Sequence, residues 1–203
     1  MFRATRTGTP SDYLVIGLGN PGAEYEGTRH NAGADAVALV AARHGERLRN
    51  AKVQAMVAEV RVGDQRVALA FPQTYMNDSG RAATALVRRY GIEDLERILI
   101  VHDELDLPVG RIQLKAGGGI AGHNGLRSLR EHLHGAEFLR IRIGVGRPPG
   151  RQEGANYVLR RPGKAERAEL EIVVQEAADA IEAIVTDGIQ AAMTRFNRKP
   201  SPA

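Results

Sequence analysis

The chain has 203 residues, of which 43% are hydrophobic and 26% charged, with a formal net charge of +4. This length suits one compact domain that buries its own core without a disulfide or a structural metal. The sequence contains no cysteine, which excludes disulfides, thiolate nucleophiles and cysteine zinc sites and fits a cytoplasmic protein.

Hydrophobic periodicity predicts strands and helices in near alternation. After a loose N-terminal extension over residues 1–12, strands are predicted over 13–18, 53–62, 65–71, 97–102, 111–115 and 138–145. Helices are predicted over 31–44, 79–90, 123–134, 164–186 and 189–196, and residues 198–203 are expected to form a flexible tail. The alternation predicts a single α/β domain over residues 13–197, with a mixed, largely parallel sheet flanked by helices. No apolar run is long enough to span a bilayer, so we expect no membrane association.

The segment YLVIGLGNPG, residues 13–22, carries glycines at the spacing G-x-G-x-x-G of dinucleotide-binding folds. Such a site needs a helix that begins at the glycines and meets the pyrophosphate with its N-terminus. The polar run GAEYEGTRHNAG follows instead, and the next segment, ALVAARHG, carries no acidic residue for the ribose. We therefore favour a plain glycine turn and predict no cofactor, and a nucleotide-cofactor enzyme stays as an alternative.

Polar side chains with catalytic potential lie in loops that follow predicted strands, where functional loops of α/β folds gather. His30 and Asn20 follow the first strand, and Asp103 ends the buried strand RILIVH. A histidine can take a proton near neutral pH, and a carboxylate can fix its tautomer and stabilise the imidazolium. The chain has no G-x-S-x-G motif and no cysteine, so this pattern favours hydrolysis by an activated water.

A metal site is an alternative here because His102, Asp103, Glu104 and Asp106 form a dense cluster in sequence. Strand alternation would send His102 and Asp103 to opposite faces of the sheet, and no H-E-x-x-H spacing occurs. We therefore predict no metal.

Five stretches closely resemble bacterial-type peptidyl-tRNA hydrolases: LVIGLGNPGAEYEGTRHNAG, PQTYMNDSG, HDELDLPVG, GGGIAGHNGLRSL and FLRIRIGVGRP. They follow the order and spacing of that family from about Tyr13 to the last helix. The resemblance implies a monomeric α/β enzyme that cleaves the ester between a peptide and the 3′ end of tRNA. Such an enzyme recycles tRNA from peptidyl-tRNA released by stalled ribosomes.

The resemblance also implies roles for individual residues. His30 would activate water and Asp103 would orient it, while Asn20 and Asn77 would hold the peptide backbone. Asn124 would position the water or the peptide carbonyl. Whether His30 takes the proton directly or through a water held by Asn124 stays open.

Further family positions concern substrate binding. Tyr25 and Met76 match lining positions, and His123 matches a neighbour on the substrate loop. Lys115 and Arg142 match a basic pair that clamps the 5′ phosphate of tRNA, although exposed bases at strand ends are usually solvated surface. The tRNA side of the site would also include Tyr25, Asn77 and Asn124.

The sequence leaves open whether the protein still catalyses hydrolysis and whether one of its loops moves. One alternative is an RNA-binding protein on the same fold that has lost hydrolysis, since fold does not fix function. The other question is whether the glycine loop, residues 117–122, gates the site.

Overall fold

The computed structural model describes residues 9–120, 122–148, 150 and 153–197. Its sheet has seven strands: β1 (Tyr13–Gly17), β2 (Arg49–Ala51), β3 (Ala55–Val62), β4 (Gln65–Pro72), β5 (Ile98–Glu104), β6 (Ile112–Ala116) and β7 (Leu139–Gly144). The spatial order is β2-β3-β4-β1-β5-β7-β6. The four central strands, β4, β1, β5 and β7, run parallel, whereas the outer strands β2, β3 and β6 form antiparallel pairs. The sheet is mixed as predicted, and its parallel part is limited to the centre.

Helices cover both faces of the sheet, and their bounds are α1 (Ala32–Arg43), α2 (Ser79–Tyr90), α3 (Asn124–Leu133), α4 (Gly154–Val158), α5 (Lys164–Asp187) and α6 (Ile189–Phe196). One core lies between the sheet and α1, α5 and α6, and a second lies beneath α2 and α3. The predicted stop after α2 is confirmed, because Gly91 adopts the left-handed conformation with φ of 63°. The sequence analysis did not predict β2 or α4.

Two glycines allow α1 to pack directly on the centre of the sheet. A Cβ at Gly17 would lie 2.2 Å from the carbonyl oxygen of Gly33, and a Cβ at Gly33 would lie 2.1 Å from that of Val101. Gly17 of the dinucleotide-like pattern therefore serves helix packing. The first α-helix after the pattern begins only at Ala32, so the glycines stand in the wrong context for a pyrophosphate site.

Just before β1 the chain is attached to helix α2 and to strand β4. The backbone N–H of Ser11 donates to the carbonyl of Tyr90 at 3.1 Å, and Asp12 exchanges backbone and side-chain hydrogen bonds with Arg66. Ser11 and Asp12 were predicted to belong to the loose N-terminal extension. Residues 1–8 of that extension and the predicted tail, 198–203, lie outside the described residues. In the part of the chain that the structure covers, no helix combines the length and apolar character needed to cross a bilayer.

The glycine loop, residues 117–122, starts at the amino ends of the parallel strands. Because β6 runs antiparallel to β7, its last residue, Ala116, pairs with Leu139 at the amino end of β7. The loop must therefore travel along β7 to bring His123 to the carboxyl ends of the parallel strands. Arg140, 1% exposed, holds the loop on this path by donating to the carbonyls of Gly119 at 2.8 Å and Gly117 at 2.5 Å.

Candidate active site

His30 and Asp103 form the centre of a cleft at the carboxyl ends of β1 and β5. His30 lies in the 3₁₀ turn Arg29–Asn31 just before α1, and Asp103 is the penultimate residue of β5. His30 Nδ1 is 2.8 Å from Asp103 Oδ1, and the two side chains are 13% and 3% exposed. When Nδ1–H donates to this carboxylate, Nε2 of His30 is left as a proton acceptor for the cleft.

The pair is tuned electrostatically. Burial opposes protonation of His30, but the charge of Asp103 and its hydrogen bond outweigh burial, so the pKa of His30 lies above its ordinary value. Burial alone would raise the pKa of the Asp103 carboxyl, but the charge of His30 and the hydrogen bonds from His123 and His30 hold that pKa well below its usual range. Asp103 is therefore a carboxylate at neutral pH, ready to stabilise an imidazolium on His30.

His123 is locked in one tautomer by the start of α3. Its Nδ1 accepts hydrogen bonds from the backbone N–H groups of Gly125 at 3.1 Å and Leu126 at 3.4 Å, so the ring caps the helix. Its Nε2 lies 3.1 Å from Oδ1 of Asp103 and therefore donates to it. With both ring nitrogens engaged, His123 supports Asp103 and is a poor candidate for the base, which leaves His30 in that role.

Asn20 is held rigidly by hydrogen bonds to two neighbouring segments. Asn31 accepts from the backbone N–H of Asn20 at 2.9 Å and donates to its carbonyl at 3.0 Å. The side-chain Oδ1 of Asn20 accepts from the backbone N–H of Met76 at 2.8 Å. The Nδ2 group of Asn20 makes no hydrogen bond within the described residues, so it can donate to a carbonyl of a ligand.

The cleft has a volume of about 880 Å³ and brings together Asn20, His30, Met76, Asn77, Asp103, His123 and Asn124. Met76 is buried, whereas Asn77 and Asn124 are exposed and make no side-chain hydrogen bond within the described residues. These two amides therefore offer both a donor and an acceptor to a substrate. The lining also includes Tyr75, which is 59% exposed and which the sequence analysis missed.

Three predicted binding residues lie outside the cleft lining. Tyr25 is one of them. It belongs to a tight turn in which its carbonyl accepts hydrogen bonds from the backbone N–H and the hydroxyl of Thr28. Lys115 and Arg142 are the others, and register places them on one face of the neighbouring strands β6 and β7.

Arg142 differs from the solvated surface base that the sequence analysis weighed. Its Nε donates to Glu104 Oε2 at 2.8 Å, Nη1 contacts Gln113, and the side chain is only 13% exposed. Lys115 is half-buried, so the two cations are not equally free to meet a phosphate.

Ligand atoms of His30, Asp103 and His123 lie within 4.8 Å of one another, as in a metal-binding group. In the structure these atoms already satisfy each other by hydrogen bonds, and His123 Nδ1 is occupied by backbone N–H groups. The prediction of a metal-free site stays a prediction.

A histidine backed by a buried carboxylate, with amides open to the same cleft, is the arrangement expected of an α/β enzyme that hydrolyses its substrate with water. The described residues of the lining include no serine. The sequence model of the peptidyl-tRNA hydrolase family matches residues 14–203, and the chain belongs to that family.

Individual relatives agree with this assignment. A peptidyl-tRNA hydrolase of Frankia alni is 47% identical over 194 residues, which cover 94% of this chain and 98% of that protein. One from Mycolicibacterium vanbaalenii is 48% identical, with 88% and 93% covered. The crystal structure of peptidyl-tRNA hydrolase from Acinetobacter baumannii superimposes with a TM-score of 0.86 at 38% identity, covering 95% of this chain and 98% of that one. Family and fold were thus predicted correctly.

Proposed function

We propose that this protein hydrolyses the ester bond between a peptide and the 3′ end of tRNA, with water activated by His30. The observation that carries the mechanism is the 2.8 Å contact between His30 Nδ1 and Asp103, which leaves Nε2 as an acceptor in the cleft. The enzyme would release tRNA from peptidyl-tRNA dropped by stalled ribosomes, acting as a cytoplasmic monomer without metal or cofactor.

In this mechanism Nε2 of His30 removes a proton from water while the water oxygen attacks the ester carbonyl. Asp103 stabilises the imidazolium that forms. The Nδ2 donors of Asn20 and Asn124 can stabilise negative charge on the carbonyl oxygen. Breakdown of the intermediate expels the 3′ oxygen of tRNA, which takes the proton back from His30. A water held by Asn124 could relay the first transfer without changing this balance.

Selection of peptidyl-tRNA over aminoacyl-tRNA follows from the open amides. Asn77 can pair with the peptide bond next to the ester, using both its donor and its acceptor. Aminoacyl-tRNA lacks that peptide bond and instead carries an ammonium group, so the amide of Asn77 would lose its partner on binding. The tRNA itself would be held outside the cleft by Lys115 and Arg142 through its 5′ phosphate.

The test is release of tRNA from an N-acetylated aminoacyl-tRNA, with the unacetylated form as the matched substrate. We expect fast cleavage of the acetylated ester only. In the Asn77→Ala variant we expect KM for the acetylated ester to rise and the preference to shrink. Binding of tRNA without cleavage of either ester would instead support the RNA-binding alternative.

A further inference from the structure

Arg29 precedes His30 in the chain, and its side chain lies in a buried cluster that the reaction itself does not use. Its Nε and Nη2 donate to the two carboxylate oxygens of Glu166, both at 2.5 Å. Its Nη1 donates to the carbonyl of Arg160 at 2.9 Å and to that of Tyr157 at 3.3 Å. The guanidinium also stacks over the Tyr157 ring, 4.0 Å from its centre. Arg29 is 5% exposed, so four of its hydrogen bonds are made away from solvent.

The cluster joins the turn that carries His30 to two segments that lie 128 and 137 residues further along the chain. Arg29 belongs to the turn that carries His30, Tyr157 belongs to α4, and Glu166 lies in the first turn of α5. The hydroxyl of Tyr157 reaches Glu166 Oε1 at 3.2 Å and the carbonyl of Val145, just after β7, at 3.3 Å. The side chain of Tyr157 is therefore fixed from two sides.

Helix α4 depends on these contacts. It has only five residues, and so short a helix is unstable without tertiary support. At its C-terminal end the carbonyl of Tyr157 accepts from the backbone N–H of Arg160 at 3.1 Å, and Arg29 adds a second bond to it at 3.3 Å. Arg29 also donates to the carbonyl of Arg160, just beyond the helix, at 2.9 Å. The ion pair with Glu166 holds the guanidinium in the position from which it can do so.

Helix α4 in turn forms one wall of the catalytic cleft, to which Val158 and Leu159 contribute apolar surface. Leu159 is 39% exposed. A cation at this wall, Arg147, is paired with Asp106 at 2.6 Å, which weakens its attraction for a phosphate. An apolar wall of nearly balanced charge suits a peptide of variable sequence better than the phosphates of tRNA.

We infer that Arg29 and Glu166 are positioning residues that hold α4 as the wall contacted by the peptide beyond its ester-linked residue. This inference rests on the proposed function and adds to it a determinant of peptide binding. It predicts an effect on KM that grows with peptide length, because a short acyl group next to His30 does not reach α4. His30 itself keeps its contact with Asp103 when the cluster is weakened.

The experiment compares two substrates with the same tRNA and the same ester-linked residue, one carrying only an N-acetyl group and one an N-acetylated tetrapeptide. The variants are Glu166→Gln and Arg29→Lys. The matched control is Asp179→Asn. It weakens a different arginine–carboxylate pair, in which Arg43 of α1 contacts Asp179 of α5 at 2.7 Å. Neither residue of that pair lines the cleft. For the tetrapeptide substrate we expect KM to rise about tenfold in both variants with kcat unchanged, and for the acetyl substrate a change within about twofold.

Equal changes on both substrates, a fall in kcat on the acetyl substrate, or no change at all would overturn the inference. Should Arg29→Lys unfold, Tyr157→Phe removes only the hydroxyl contacts to Glu166 and Val145, and it should raise KM for the tetrapeptide substrate alone. A wild-type protein that cleaves neither ester would contradict the proposed function and the inference together, whereas normal wild-type cleavage with an unaltered variant contradicts the inference alone.

Discussion

Asp103 and His30 share one hydrogen bond, with Oδ1 of Asp103 at 2.8 Å from Nδ1 of His30, and that bond decides which nitrogen of the imidazole faces the substrate. Replacing Asp103 with Asn keeps the volume but removes the charge, and an amide that donates to Nδ1 would stabilise the wrong tautomer. We expect kcat to fall by about 10²–10⁴-fold in Asp103→Asn, with KM for the N-acetylated substrate little changed. Steady-state kinetics measures both. A loss confined to KM would show that Asp103 binds substrate instead of orienting His30.

The pH dependence of kcat/KM should follow the deprotonation of His30. Its pKa lies above the ordinary 6.5 because the charge of Asp103 and its hydrogen bond outweigh burial. The base must be neutral, so kcat/KM should fall by about tenfold per pH unit below that pKa. In Asp103→Asn burial remains while the charge is gone, so the residual activity should show its inflection below 6.5. An unchanged inflection in this variant would mean that another group titrates.

His102 should make the fold sensitive to acid. It is fully buried against the ring of His123, and burial, then the charge of His123, place its pKa well below the ordinary 6.5. Below pH 6.5 His102 is therefore protonated in the unfolded chain but stays neutral in the folded one. The free energy of unfolding falls as pH drops from 6.5 toward the pKa of His102 in the folded state. The raised pKa of His30 acts in the opposite sense, since its contribution is full below 6.5 and lost as pH rises.

Urea unfolding between pH 7 and 5 separates these two effects. His102→Gln should remove the acid-dependent loss due to His102, which is at most about 1.4 kcal/mol per pH unit. His132→Gln, on the exposed side of α3, serves as the control and should keep the wild-type slope. If the free energy of unfolding of His102→Gln fell with pH as much as that of wild type, a group other than His102 would cause the loss.

Lys115 offers the cleaner test of the phosphate clamp. Arg142 is ion-paired with Glu104, so truncating Arg142 would also strand a buried carboxylate and destabilise the fold. Lys115→Ala should raise KM without changing kcat and should lower the slope of log affinity against log salt by about 0.7–0.9 for one lost phosphate contact. The exposed Lys52 provides the matched variant, Lys52→Ala, which should behave as wild type. Removing the 5′ phosphate from tRNA should weaken binding to wild type but not to Lys115→Ala, and equal weakening would contradict the clamp.

Much of the fold could be predicted because its main elements carry strong local patterns. The helix over residues 79–90 was predicted with the observed bounds, and the strands predicted over 53–62 and 65–71 form the β3–β4 hairpin. The missed elements are short, three residues in β2 and five in α4. Helix α4 in particular is completed by Arg29, more than a hundred residues away in the chain, and local periodicity carries no such information.

The structure brings most of the predicted site residues into one cleft, but Tyr25, Lys115 and Arg142 lie outside its lining and Tyr75 was not predicted. Motif resemblance identified His30 and Asp103 correctly as neighbours in one cleft. It could not show that the side-chain Oδ1 of Asn20 accepts a hydrogen bond from the backbone N–H of Met76. Nor could it show that both ring nitrogens of His123 make hydrogen bonds within the fold. These facts depend on how separate segments meet. The path of the glycine loop could not be predicted for the same reason, since the antiparallel direction of β6 follows from pairing and not from its own sequence.

A single-turnover measurement decides whether His30 is the base. With enzyme in excess over N-acetylated aminoacyl-tRNA, the observed rate reports the bond-breaking step without product release. His30→Ala should lower this rate by about 10²–10⁴-fold while tRNA binding is unchanged, and His132→Ala should match wild type. A rate for His30→Ala within a few-fold of the wild-type rate would contradict the role of His30 as the base, and another residue of the cleft would have to activate the water.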